Sequence, residues 1–179
     1  TMKDLVERDG LYYKKFTDVP FTGEVTGMTR VSFENGKRHG PWVEDHENGQ
    51  LASKGTYKDG LKDGLWATYH KNGKLSSKGS YKNGEREGPW IAYHENGLLW
   101  FKGTLKDRQY DGPWVGYKRD GTVDENLTGI YKDGNKEGPF VNYRDDGRVW
   151  TKGSYKDGKK DGPWVEYHDN GRIKFKGTY

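Results

Sequence analysis

Four histidines, His46, His70, His94 and His168, recur at one position of a repeating pattern. Imidazoles grouped in this way raise metal chemistry first, because neutral histidine is the commonest zinc ligand. The spacing argues against a shared ion. His46, His70 and His94 follow one another at steps of 24 residues. A period of that length holding two turn signals folds as a hairpin, which leaves equivalent residues two strands apart, on the order of 9 to 10 Å. Zinc needs each ligand nitrogen at about 2 Å, so the histidines are expected as exposed strand-end residues beside a turn. The repeated carboxylates Asp63, Glu87, Asp111, Glu137 and Asp161 each precede the glycine that opens a unit. General acid–base catalysis needs one unlike constellation with separated pKa values, whereas these acids are expected in equivalent solvated turns. There is no nucleophile elbow, no phosphate-cradling loop and no dinucleotide fingerprint ahead of a helix. The chain is expected to be non-enzymatic, and no cofactor is implied.

A third recurring group is cationic. Lys54, Lys78, Lys102, Lys152 and Lys176 share one repeat position, and a ladder of ammonium groups on one sheet face suits phosphates or anionic lipid. Their separation of about 10 Å is near the screening length of about 8 Å at physiological salt, so they reinforce one another weakly. Nucleic acid is a poor expectation: 31 basic and 27 acidic residues leave a net charge of only +4, and the signs alternate along the chain. Aromatic residues make up 15% of the sequence. Tyrosine and tryptophan here take the place of aliphatic core residues, because each buries a ring while keeping a polar tip for water. No apolar run approaches a membrane span, and no leader is recognisable at Thr1. The compartment stays open, cytoplasmic or exported, and cysteine is absent.

The elements that must position these groups are strands. Gly40-Pro41-Trp42, Gly64-Leu65-Trp66, Gly88-Pro89-Trp90, Gly112-Pro113-Trp114, Gly138-Pro139-Phe140 and Gly162-Pro163-Trp164 open six units at steps of 24, 24, 24, 26 and 24 residues. Within each unit a first turn is signalled by Asn48-Gly49 and its equivalents, read as a two-residue type I′ loop, and a second by Asp59-Gly60 and its equivalents. Proline is expected at the first residue of a strand, where its missing N–H breaks no ladder bond. The predicted fold is all-β: an elongated, single-layer, twisted antiparallel meander of tandem hairpins of about 24 residues.

The two-residue loop predicts a register in which Trp42 faces Gly55, Trp66 faces Gly79, Trp90 faces Gly103, Phe140 faces Gly153 and Trp164 faces Gly177. Each ring is expected to lie over its facing glycine and cover bare backbone, which makes Trp42, Trp66, Trp90, Trp114, Phe140 and Trp164 a structural ladder. Leu51 and Tyr57 share that face. The opposite face carries Val43 and its equivalents, then Tyr69, Tyr93, Tyr117, Tyr143 and Tyr167, and the five ladder lysines. Trp100 and Trp150 are expected there too, opposite Tyr93 and Tyr143. This tyrosine and lysine face is the expected contact surface.

Residues 1–30 match the unit poorly and are expected to form a degenerate N-terminal cap hairpin from Tyr12, Tyr13, Phe16, Phe21 and Gly23, ahead of the repeats at 31–179. Near 108–129 the repeat breaks. Arg108 replaces a turn glycine, two residues are inserted between Gly121 and Gly129, and Leu127 is expected to face Trp114. A bulge or widened turn over 122–128 follows.

The Tyr-Lys-Asp-Gly, Gly-Pro-Trp, Asn-Gly and Lys-Gly-x-Tyr blocks resemble the bacterial variant of the MORN (membrane occupation and recognition nexus) repeat over residues 33–179. That resemblance implies sheets of stacked hairpins, roles in protein scaffolding, contact with lipid in some relatives, and an antitoxin-like label for bacterial members. Here the tryptophan follows Gly-Pro and a tyrosine comes three residues later, a departure from the Tyr-x-Gly-x-Trp form. The leading expectation is a scaffold or adaptor that binds a protein partner through the extended face, antitoxin-like neutralisation being its most specific form. A carbohydrate-binding or envelope-associated module with exposed rings, and anionic-lipid binding through the lysines, are the alternatives. Open sheet edges also permit self-association.

Overall fold

The computed structural model describes residues 1–144 and 146–179, in two compact units, Thr1–Gly97 and Leu98–Tyr179. The fold is all-β. In the first unit a short 3-10 turn, η1 (Met2–Asp4), precedes the hairpin β1 (Leu5–Arg8) and β2 (Leu11–Lys14). An antiparallel sheet follows in chain order: β3 (Gly23–Val25), β4 (Thr29–Glu34), β5 (Lys37–Asp45), β6 (Leu51–Lys58), β7 (Leu61–Tyr69), β8 (Leu75–Lys82) and β9 (Glu85–Tyr93). The second unit holds β10 (Leu99–Lys106), β11 (Gln109–Gly116), β12 (Gly129–Lys132) and β13 (Asn135–Lys136) in one run. A separate four-stranded sheet contains β14 (Gly138–Tyr143), β15 (Val149–Lys156), β16 (Lys159–Tyr167) and β17 (Ile173–Thr178). The uninterrupted meander expected from the repeat is therefore broken between β13 and β14, just past the irregular unit.

The two turns of a unit are built differently, and the type I′ turn is the second one. Asp59 and Gly60 have φ of 52° and 85°, Asn83 and Gly84 51° and 82°, and Lys58 closes the loop against Leu61. Two successive left-handed residues give the twist that matches the flanking strands. At 107–108 the same turn survives without glycine, Asp107 at 48° and Arg108 at 65°. The Asn-Gly turn is instead a three-residue loop, since His46 donates its N–H to the carbonyl of Gln50 and Gly49 to that of His46. Only Gly49 is left-handed there, at φ 80°. Asn48 is chosen for its side chain: its Oδ1 accepts the N–H of Gln50, and its Nδ2 donates to Lys71 O in the next hairpin.

A three-residue loop slips the register by one, yet Trp42 pairs with Gly55, Trp66 with Gly79, Phe140 with Gly153 and Trp164 with Gly177 as expected. A one-residue bulge after the turn restores it, because Glu44 pairs with Ser53 but Asp45 pairs with Leu51. The bulge moves Leu51 away from the Trp42 face, where simple alternation placed it, to the side of Val43. The same bulge recurs with Tyr69 on Leu75, Tyr143 on Val149 and Tyr167 on Ile173.

Proline lies mid-strand. Between β6 and β7 the ladder jumps from Lys54↔Ala67 to Thr56↔Asp63, so Gly64, Leu65 and Trp66 together oppose Gly55. The jump at 88–90 is the same size, Gly79↔Trp90 then Ser80↔Glu87. Gly64 takes φ 71° and Gly88 72° to turn the bulge. Pro89 thus sits in a bulge, the interior position that tolerates its missing N–H.

At the N-terminus, Val25, Val31 and Phe33 form a core against which Met2, Leu5, Tyr12, Phe21 and Trp42 pack. Phe21 N–H donates to Tyr12 O and Gly36 N–H to Phe21 O, tying this segment to the first sheet hairpin. Sheet pairing already begins at Gly23, opposite Phe33.

Candidate functional site

One face of each unit is a column of rings. The register puts Trp42 and Tyr57 in edge contact at 5.3 Å between centroids, Tyr57 and Trp66 at 5.2 Å, and Tyr81 and Trp90 at 5.4 Å. In the second unit Phe140, Tyr155 and Trp164 repeat the arrangement at 5.3 and 5.2 Å. The ring over each glycine comes from the following strand. A Cβ on Gly55 would stand 2.2 Å from Trp66, on Gly79 2.3 Å from Trp90, on Gly103 2.1 Å from Trp114 and on Gly153 2.4 Å from Trp164. Trp42 pairs with Gly55 but does not cover it, because the wide bulge folds Trp66 back across that backbone. The indole N–H then reaches a carbonyl on the strand it covers: Trp66 to Thr56 O, Trp114 to Thr104 O and Trp164 to Ser154 O.

A second row of cations belongs to this column. Arg38 lies over the rings of Tyr12, Trp42 and Tyr57, Lys62 over Trp66 at 4.2 Å, Arg86 over Trp90 at 4.5 Å and Lys160 over Trp164 at 4.4 Å. In the irregular unit Tyr110 takes the cation's place and stacks on Trp114 at 3.9 Å. The sequence signal was available: each of these residues stands four before its tryptophan, and the type I′ turn pairs Tyr57 with Lys62 and Tyr81 with Arg86. Cation–π contacts of this kind are worth about 0.5–1 kcal/mol at exposed sites and more when shielded. Trp66, Trp90, Trp114 and Trp164 are all buried, so this face is packing.

Burial also acts on Tyr131, whose hydroxyl donates to the carbonyls of Asn126 and Leu127. Desolvation, with smaller contributions from Tyr110, Asp124 and Tyr155, pushes its phenol up to about 12. A folded pKa above the unfolded value of about 10 means the contribution is complete below pH 10 and lost as pH rises through 12. Tyr131→Phe is expected to remove the latest tyrosinate step from an alkaline absorbance titration of the folded protein.

The opposite face is polar and ordered in rows. Lys54 stands between Val43 and Ala67, and Lys78 between Ala67 and Ile91. Lys152 stands between Val141 and Val165, while Lys102 pairs with Val115 and Lys176 with Val165. All five lysines are exposed. The acidic residues join the same face from ladder positions: Thr56 pairs with Asp63, Ser80 with Glu87, Thr104 with Asp111 and Ser154 with Asp161. All five repeated acids were expected in turns, but the strands extend through these four, while Glu137 lies between β13 and β14. A lysine row and a carboxylate row therefore run side by side.

The tyrosines are divided. Tyr69, Tyr93 and Tyr167 are half-buried at strand ends. Tyr143 is 56% exposed. Tyr117 leaves the ladder, bridging Val123 while its N–H donates to Trp100 O. Trp150 does not face Tyr143, which pairs with Val149; Trp150 is the extra residue of the bulge and Arg144 lies over its ring at 5.9 Å. Trp100 packs edge-on against Phe101 at 5.1 Å. Leu127 does not face Trp114 either. Gly129 does, and Leu127 packs over Gly116.

His46 and His70 are fasteners between adjacent turns. His46 Nε2 donates to Tyr69 O and His70 Nε2 to Tyr93 O, each at 2.9 Å, and Arg144 at the same repeat position reaches Tyr167 O at 2.6 Å. A carbonyl only accepts, so Nε2 carries the proton. Among the described residues no group of three histidine, aspartate or glutamate side chains is placed to hold a metal ion, and no helix is long and apolar enough to cross a membrane.

Residues 38–59, 62–83, 86–107 and 160–179 match the model of the MORN repeat variant. The irregular unit and the hairpin after it, 108–159, lie outside these matches. A search of curated proteins returns no match to the chain. The first three matches begin 24 residues apart (38, 62, 86), the period that the hairpins and their ring-over-glycine packing impose. The chain carries four repeats of the MORN repeat variant.

Proposed function

We propose that the chain is a non-enzymatic scaffold that binds a protein partner through the face bearing Lys54, Tyr69, Lys78 and Tyr93 and their equivalents. The observation that carries this reading is the row structure: lysines set among aliphatic residues, with a parallel row of carboxylates beside them. Opposite charges in adjacent rows cancel much of the far field that would draw a uniform anionic membrane, but at contact they discriminate sharply between partner surfaces. The aliphatic residues that alternate with the lysines, Val43, Ala67 and Ile91, supply the apolar component of a protein interface. Trp66, Trp90, Trp114 and Trp164 are buried by their neighbours, which favours protein over sugar stacking on that ladder.

The test uses a partner captured by the intact chain and purified. Lys54→Ala, Tyr69→Ala and Lys78→Ala combined, all within the first unit, are expected to weaken the partner at least about tenfold. Unchanged affinity at a preserved circular dichroism spectrum overturns the assigned face. Vesicles of mixed phosphatidylserine and phosphatidylcholine are expected to retain no protein at physiological salt.

A further inference from the structure

We infer that the irregular repeat holds a docking cleft for an extended peptide segment carrying an apolar side chain next to a cationic one. The inference rests on the reading of the chain as a protein-binding scaffold and deepens it: the cleft opens on the second-unit stretch of the same face, where Val141 and Tyr143 are the equivalents of Ala67 and Tyr69. In the regular units the space between one hairpin and the next is closed twice, by a strand ladder and by a ring laid over the facing glycine. Both closures fail after β12. Its ladder to β13 consists of Tyr131↔Lys136 and Lys132↔Asn135, and the N–H of Glu137 still reaches Ile130 O. Beyond that point, among the described residues, β14 pairs only with β15. Residues that would have continued β12 are folded aside. Leu127 and Thr128 donate their N–H groups to Asp124 O, and Thr128 Oγ1 accepts the N–H of Gly116. At Gly129 an added Cβ would meet Lys136 and the edge of the Tyr131 ring at 3.6 to 3.7 Å, ordinary contact in place of the tightly seated ring found over Gly55, Gly79, Gly103 and Gly153.

The result is a cavity of about 350 Å³ lined by Val115, Val123, Ile130, Pro139, Val141 and Tyr143 among others. Val123 and Ile130 are each 47% exposed, Val141 44% and Tyr143 56%. Four large apolar side chains left open around one cleft mark a contact site more than a packing defect. Among the described residues the edge of β14 along Val141–Tyr143 has no strand beside it on the β12 side, so its backbone groups are placed to receive an added strand. Charge selects among occupants. Glu125 is the one ionised side chain in the described lining, which favours lysine or arginine flanking the buried residue.

The probe is a blocked synthetic peptide, Thr-Lys-Val-Trp-Val-Lys-Thr, titrated into the ¹⁵N-labelled full chain. Amide shifts are expected to concentrate at Gly129, Ile130 and Val141–Tyr143. Val141→Asp is expected to weaken binding about tenfold or more, and Ile130→Thr, which keeps a β-branched residue in the strand, several-fold. Glu125→Gln is expected to weaken this peptide but not one with glutamine in place of lysine. Tyr69→Ala in the first unit leaves the titration unchanged. Absence of shifts at these amides up to millimolar peptide, or binding indifferent to both Val141→Asp and Ile130→Thr, overturns the cleft while leaving the face of the first unit untouched. Loss of peptide binding on Tyr69→Ala likewise overturns the cleft and assigns the peptide to that face.

Discussion

Trp66→Ala is expected to destabilise the first unit by about 3–5 kcal/mol, the range for deleting a large buried aromatic. The indole is buried, touches Trp42, Tyr57 and Tyr81, carries Lys62 over its ring, and donates its N–H to Thr56 O. Removing it opens a cavity, leaves Gly55 uncovered and strands the Thr56 carbonyl. In a repeat array each unit leans on its neighbours, so the loss spreads to the adjacent hairpins. Amide exchange should rise first in β6 and β7 and then in β5 and β8, with a fall in the denaturation midpoint. Protection unchanged outside β7 would show the column to be a set of independent contacts.

Gly55→Ala tests the same contact from the other side. Gly55 is not left-handed, so its replacement is a question of space and not of backbone strain. The new methyl would stand 2.2 Å from Cδ2 of Trp66, a distance the ring can relieve only by leaving its bulge. The expected cost is about 1–3 kcal/mol or more, as for overpacking a filled core. Combining it with Trp66→Ala should cost less than the sum of the two by more than about 1 kcal/mol, because the clash disappears with the ring. Additive effects would mean that glycine and ring do not meet. Lys54→Ala, one residue away on the opposite face, should stay within about 0.5 kcal/mol.

Much of this was legible because the repeat is written in residues with strong backbone meaning. The 24-residue period, two turns per unit, and the Trp42–Gly55 and Trp164–Gly177 registers all follow from glycine, proline and asparagine positions. What the sequence concealed were compensating bulges. Asn48-Gly49 and Asp59-Gly60 look alike as dipeptides, yet one is a three-residue loop using the asparagine side chain and the other is the type I′ turn. The loop's extra residue is cancelled by the bulge at Ala52, so the central register survives while Leu51 and Leu75 change face. Likewise Gly64-Leu65 adds two residues against the preceding strand alone, which carries Trp66 over Gly55 and leaves Trp42 as Gly55's ladder partner. Simple alternation has no means of showing this. The cations on the rings are less conspicuous than Lys54 and Lys78, because their repeat position holds Arg38, Lys62, Arg86 and Lys160 but Tyr110 in the irregular unit. In the candidate site, pairing of lysines with valines was readable from alternation. The acidic row was not, since Asp63 and Glu87 appeared to belong to turns.

The division of labour between the two faces is tested most directly by calorimetric titration of the captured partner into the Lys54→Ala, Tyr69→Ala, Lys78→Ala variant, with its melting curve recorded alongside. The expected result is dissociation at least about tenfold weaker with the cooperative transition of the ring column retained. An unchanged dissociation constant would contradict the assignment of this face to binding.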